Sequence, residues 1–318
     1  MSALVSAGAY LPRARIDAAT VGEAWDGFKA GGVREKRVAG YDEDAVTMGV
    51  EAARAALGDL DTDDVGALAF ATTTPPLDEG DVGVRLAEIL GLPRSTDVTT
   101  FTQSTRAGTR ALLSALSTPV RTLVVVADCP VGATDDAVDH AAGAGAVALV
   151  VGADGPATVA EHATYAREYP GTRFRRRGGE GVETYGATAY GRDAFTSVVA
   201  GAVEGLETVP GALAPTATDG KLPGRAARGI DADVEVYHRA ADLGDTGAAS
   251  PFFGLFAAWA AGESAVAVVG FGDGAGADAL RIEGSLDVAS NEDRPTEDLT
   301  YAEYLRKRGR VLSEGGER

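Results

Sequence analysis

The stretch "FTQSTRAGTRALLSAL", residues 101–116, starts as a β-like run, turns at Ser104-Thr105 and continues as a helix. Ser104 is a candidate N-cap. Ala107, Ala111, Leu112, Ala115 and Leu116 recur near helical spacing. A side chain at such a junction meets unpaired backbone N–H groups and the positive end of the helix dipole, which favour negative charge. A thiolate suits that place, but the chain offers Thr105. A hydroxyl is a poor nucleophile without an adjacent base, and no histidine or glutamate is expected beside it. Thr105 reads either as an altered nucleophile or as a threonine that caps and packs a helix.

Other reactive residues are few. Cys129 is the single cysteine, which excludes an internal disulfide and a cysteine-built zinc site. It follows the apolar run "TLVVVAD" and reads as a small buried hydrophobe. His140, His162 and His238 have no metal-ligand spacing, and no metal is expected. Asp78 and Glu79 in "TTTPPLDEGD" are expected in a solvated loop, with a role as base if they approach the pocket. "GFGDGAG" (270–276) is followed by "ADALRIEG", a strand pattern rather than a helix, so it reads as a glycine hairpin and not a dinucleotide loop.

These residues sit among alternating elements. Helices are predicted over 42–57, 81–93, 194–206 and 245–262, and apolar strands over 121–130, 144–152 and 157–166, with 65–76 a buried strand running into a Thr/Pro loop. "STRAGTRALLSAL", "RTLVVVADC" and "AGAVALVVG" parallel "DTGAASPFFGLFAAW", "SAVAVVGFG" and "ADALRIEG". Each set is a small-residue helix, an apolar strand, a turn and a second strand. The pattern predicts an α/β chain of two duplicated halves, 1–166 and 167–284, with a site between them and a tail over 285–318.

The formal net charge of −18 argues against nucleic acid and anionic membranes as partners. With Lys29, Lys36, Lys221 and Lys307 as the only lysines, the acidic, alanine- and glycine-rich composition looks halophilic. No apolar run reaches the roughly 18 residues of a membrane span. "MSALVSAGAY" lacks the basic start of a secretory signal, so the expected compartment is the cytoplasm.

Several segments in order resemble the thiolase superfamily, and within it the 3-hydroxy-3-methylglutaryl-CoA synthase branch. They are "GAYLPRARI", "DEDAVTMGVEAARAAL", "STRAGTRAL", "DCPVGATDDAVDHAAGAGAVALVVG", "LGDTGAASPFFGLFAAW" and "GFGDGAGADAL". The resemblance implies a thiolase fold, with two pseudo-repeated halves packed as five layers, α-β-α-β-α. It also implies a coenzyme A thioester as transient ligand, with no tightly bound cofactor. The family's chemistry uses a cysteine, a glutamate and a histidine. On the matching motifs those positions fall at Thr105, Thr73 and Thr216, and the family asparagine falls at Asp245. The implied reading is therefore a member without condensation activity that binds an acyl-CoA or serves as a structural subunit. The alternative is an active acyltransferase with a relocated nucleophile or base.

Lys221, Arg225 and Arg228 match the family's CoA-contacting region, and "RFRRRGG" (173–179) is a second basic cluster able to meet phosphates. The resemblance implies a homodimer whose subunits share a sheet, and strands 121–130 and 144–152 suit such pairing. It also implies a separate zinc-ribbon/OB-fold partner. The tail is read as a helix or ordered arm over 296–310, capped by Thr296, with a Tyr301/Tyr304/Leu305 stripe for that partner.

Overall fold

The computed structural model describes residues 3–179, 181–185 and 188–310. In chain order the first elements are β1 (Ala3–Tyr10), β2 (Ala14–Asp17), α1 (Ala18–Ala24), β3 (Glu35–Arg37), α2 (Ala45–Leu57), β4 (Ala67–Ala71), α3 (Val82–Leu90), β5 (Asp97–Phe101), α4 (Ala107–Leu116), β6 (Thr122–Asp128), α5 (Ala137–Ala141) and β7 (Gly145–Gly152). There follow β8 (Ala157–Tyr169), α6 (Thr188–Val203), β9 (Ala212–Pro215), α7 (Leu222–Ala227), β10 (Glu235–Val236), α8 (Ala240–Leu243), α9 (Ser250–Ala260), β11 (Ala265–Gly272) and β12 (Gly274–Gly284). The chain closes with β13 (Val288–Ser290), β14 (Glu297–Asp298) and α10 (Tyr301–Lys307).

The duplication is visible in the pairing. One block runs β5-β4-β6-β7-β1 and the other β10-β9-β11-β12-β8, the same order twice. In each block two pairings are parallel and two antiparallel, so four strands run one way and one, β7 or β12, runs against them. The blocks meet where Ala3 and Leu4 of β1 pair with Thr158 and Ala157 of β8. By pairing, β8 stands with the second block, since it runs beside β12 from Ala157 to Tyr169.

Successive residues on a strand face opposite sides, and that alternation builds the layers. Leu123 and Val125 of β6 pack with α2 and α3, whereas Val124 and Val126 pack with α4 and α9. Val266 and Val268 of β11 join the same middle layer from the other block, while Ala267 and Val269 pack with α6 and α7. The expected five layers follow. The two middle helices approach closely: a Cβ on Gly108 of α4 would meet Ala248 O and the Phe252 ring at 2.8 Å.

Local signals set most helix ends. Asp44 and Thr47 form a reciprocal capping box on α2, and Gly91 ends α3 in the left-handed conformation, with φ of 70°. Ser104 is not the cap of α4. The helix begins three residues later, with Arg106 at the cap position and no side-chain cap bond. Ser104 instead accepts from Ala107 N through its carbonyl.

Two further expectations change. Strands β6 and β7 have neighbours on both sides and offer no edge to a second copy; the free edges are β5 and β10. The tail carries a short strand before its helix, β14 beside β2, and Thr300 rather than Thr296 caps α10 in a box with Glu303. The tyrosine stripe is covered by this chain itself. Tyr304 is 2% exposed among Ile16, Val21, Val38 and Leu299, with Tyr301 and Leu305 packed at the margin. Polar bonds reinforce it: Tyr304 OH donates to Asp139 Oδ2 at 2.9 Å, and Arg308 donates to Pro130 O at 2.8 Å. No helix among the described residues is long and apolar enough to cross a membrane.

Beneath Tyr304 lies Lys36, 1% exposed, whose Nζ donates to Asp139 O and, at 3.0 Å, to Tyr304 OH. Burial pushes its ammonium down to about 7 from the usual 10.5. Between those values the unfolded chain binds the extra proton, so stability rises with pH from about 7. Burial also raises the Tyr304 phenol, so the unfolded chain gains from ionising that tyrosine above about pH 10 and the rise ends there. Denaturant midpoints measured from pH 6 to 10 are expected to climb in the wild-type chain, with the slope reduced in Lys36→Met.

Candidate functional site

The site forms where the C-terminal ends of β4, β6, β9 and β11 meet the starts of α4 and α9. Its anchor is Asp128, the last residue of β6, with no exposed surface. One carboxylate collects six donors. Oδ1 accepts from Thr72 Oγ1 at 2.9 Å, Thr73 N at 2.6 Å, Thr74 N at 3.0 Å and Thr74 Oγ1 at 3.0 Å. Oδ2 accepts from Thr73 Oγ1 at 3.0 Å and Ala248 N at 2.7 Å. The Thr72 and Thr74 hydroxyls accept from Thr74 N and Cys129 N, so they donate towards Asp128. Burial pushes this carboxyl upwards; the converging donors favour its ionised form and oppose that push. Gly247 makes room for it, with φ of 56° and a built Cβ that would lie 2.1 Å from Oδ2.

Each residue singled out from the sequence has a definite place. Thr73 turns its hydroxyl to Asp128. Thr105, 5% exposed, donates to Phe271 O at 2.6 Å. Thr216, fully buried, accepts from Phe271 N at 2.9 Å. Its position explains this bond: β9 ends at Pro215, and the Thr216 hydroxyl serves the N–H of the next residue pair on β11. Thr105 and Thr216 therefore meet through the two backbone groups of one residue. Asp245, 1% exposed, accepts from Gly247 N at 2.9 Å through Oδ1 and pairs through Oδ2 with Arg173 Nη1.

Two cavities adjoin this cluster. One, of about 250 Å³, is lined by Lys29, Phe195, Leu222, Arg225 and Asp245 among others. The other, of about 700 Å³, is lined by Thr73, Thr105 and the arginines from Arg173 to Arg177. Arg173 and Asp273 line both. Burial pushes the Asp273 carboxyl up to about 6, against the pull of Arg173. Asp78 and Glu79 reach the larger cavity, although both are exposed. Of the three cations read as CoA contacts, Arg225 lines the smaller cavity. Lys221 lays its stem near Gly31, and Arg228 lies exposed at the end of α7.

The sequence reading missed the roles of Asp128, Lys29 and Asp273. Asp128 stood inside the quoted "DCPVG" segment, yet nothing local marks a carboxylate as the shared acceptor of three successive threonines. Cys129 is half-buried, and burial pushes its thiol up, away from reactivity. His140 is buried, with Nδ1 accepting from Lys29 N at 2.9 Å.

Replacing Asp128 by asparagine turns an amide N–H₂ towards buried donors, of which Thr74 N has a second acceptor in Thr72 Oγ1. We expect a loss of about 3 kcal/mol or more, the cost of stranding buried polar groups, read as a lower denaturant midpoint. Thr74→Val removes one of these donors and is expected to cost about 1–2 kcal/mol in the same measurement.

No protein-family model matches the chain. The hydroxymethylglutaryl-CoA synthase of Aeropyrum pernix is 30% identical over 340 residues, covering 96% of this chain and 93% of that protein. Among solved structures, an HMG-CoA synthase complexed with CoA superposes with a TM-score of 0.83 at 15% identity, over 96% of this chain and 90% of the other. MvaS in complex with 3-hydroxy-3-methylglutaryl coenzyme A gives 0.80 at 17% identity, over 97% and 92%. The fold is the thiolase fold, and with a relative of that identity along nearly its whole length, the chain belongs to the hydroxymethylglutaryl-CoA synthase family.

Proposed function

We propose that this chain binds a coenzyme A thioester without carrying out the acyl-enzyme condensation, and that it acts as an acyl-CoA-binding or structural subunit. The observation that carries this reading is the bond from Thr105 Oγ1 to Phe271 O at 2.6 Å. A nucleophilic hydroxyl must hand its proton to a base. Here the proton faces a peptide carbonyl, which cannot take it. Thr73, in the position matched to the family glutamate, is committed to Asp128. Thr216 spends its hydroxyl on β11.

Ligand binding is supported separately. The smaller cavity has an apolar wall at Phe195 and Leu222 and cations at Lys29 and Arg225. That combination suits an extended organic arm ending in phosphates. A second reading, an active acyltransferase with a relocated base, has one observation in its favour. Asp273 faces both cavities with its carboxyl near 6, a value fit for proton transfer.

For assembly we propose a homodimer through β5. It is an edge of five residues, against two in β10, and an open strand edge is a template for another copy. The zinc-ribbon/OB-fold chain stays as a proposed partner. Its docking surface must lie away from the Tyr301/Tyr304/Leu305 stripe, which the chain covers itself.

Incubation with acetyl-CoA followed by intact mass measurement is expected to show no added acetyl group. A gain that disappears in Thr105→Ala would overturn the proposal. A gain that survives Thr105→Ala but disappears in Asp273→Asn would favour the relocated-base reading.

A further inference from the structure

The loop between α1 and β3 forms part of the wall of the smaller cavity, through Lys29 and Ala30. Helix α5 supplies Ala137, Val138 and Ala141 to the same cavity. The loop is pinned at two points. Gly31 O accepts from Gly220 N of the second half at 2.9 Å. Lys29 N donates to Nδ1 of His140, on α5, at 2.9 Å. The Phe28 ring lies stacked on that imidazole, with centroids 5.0 Å apart.

The second pin depends on the charge of the ring. An imidazole nitrogen accepts a hydrogen bond only while it carries no proton. Nδ1 faces a peptide N–H, so the neutral ring holds its proton on Nε2. A second proton would have to enter at Nδ1, against the Lys29 N–H. Two donors facing each other make no bond, and His140 is only 1% exposed, with little water to separate them. Protonation of His140 and docking of Lys29 therefore exclude each other.

The surroundings set the balance. Burial favours the neutral ring and pulls the imidazole below its ordinary value, and Lys36 of β3 and Lys29 act in the same direction. Asp139 and Asp135 oppose them. Asp135 Oδ1 lies 3.6 Å from Nε2, while Oδ2 holds the Lys29 ammonium at 2.7 Å. Asp136 is taken up in capping α5. From α10, Tyr304 and Arg308 reach Asp139, and Tyr301 OH accepts from Trp25.

We infer that His140 is a positioning residue for the wall of the smaller cavity: the neutral ring holds the Lys29 loop against α5, protonation releases it, and ligand binding there weakens in acid. This rests on the reading that the chain binds a coenzyme A thioester. Docking needs the neutral ring, so its contribution is complete above the ordinary imidazole value of 6.5 and is lost as the pH falls below that.

Calorimetric titration of the full chain with coenzyme A at pH 7.5 and pH 5.5, beside His140→Asn, tests the assignment. Asparagine Oδ1 can accept from Lys29 N and does not titrate. The phosphates of the ligand and Asp273, near 6, titrate in the same range in both proteins. The readout is therefore the ratio of the two affinities within each protein. The loss on acidification is expected to be larger in the wild-type chain, by up to about tenfold for one pH unit below 6.5. Nitrogen-15 NMR of the wild-type chain reads the ring directly and does not depend on the variant folding. It is expected to show the Nε2–H tautomer at pH 7.5 and a Lys29 amide resonance that moves with the His140 titration. Equal losses in the two proteins would overturn this inference and leave coenzyme A binding standing. A proton on Nδ1 at pH 7.5, or a Lys29 amide indifferent to the titration, would also overturn it. No binding at either pH would overturn both this inference and the reading beneath it.

Discussion

The carboxylate of Asp128 is the constraint on which the site depends. It lies where the first block ends, at the tip of β6, and it ties together two separate segments. One is the loop Thr72–Thr74 leaving β4, and the other is Ala248 N at the approach to α9 of the second block. A charge taken fully out of water must be matched by donors, and here the donors come from both halves. Satisfying one acid therefore ties the two halves together at the site. Gly247 and the three threonines are then dictated by size and by donor count.

Around that anchor the site is made of commitments rather than free groups. Thr105 and Thr216 complete the hydrogen bonding of Phe271 at the end of β11. Asp245 holds Arg173 between the cavities. An open pocket remains on each side, but the hydroxyls near it already have partners. The cavities stand whichever side chains occupy these places, because the layers that form them do not depend on the threonines. Valines and alanines of β6 and β11, with α4 and α9 between them, hold the walls in place.

Much of the fold was legible in local pattern. The apolar runs of β6 and β7, the small-residue helices α4 and α9, and the repeat of helix, strand, turn and strand all carry through to paired blocks of identical order. The glycine hairpin at 270–276 was readable because a strand pattern follows it. The segment from residue 14 to residue 37 was not readable: β2, α1 and β3 are short and gain their stability from the tail that packs on them. The tail's stripe was visible as a pattern, but its occupant was not. An apolar stripe states that something covers it and says nothing about what.

By itself the sequence determined the periodicities, the duplication, the absence of cysteine or histidine at the junction near residue 105, and the arginine cluster after 172. These are properties of neighbours along the chain, where spacing and residue type suffice. Only the tertiary structure decided that β6 and β7 are interior strands, that Tyr304 seals Lys36, and that Asp128 gathers three threonines. It also decided that Arg173 stands between two cavities. Each of these joins residues from roughly 50 to 270 positions apart. Whether such groups meet depends on the packing of layers, and a buried charge takes whichever donors that packing delivers to it.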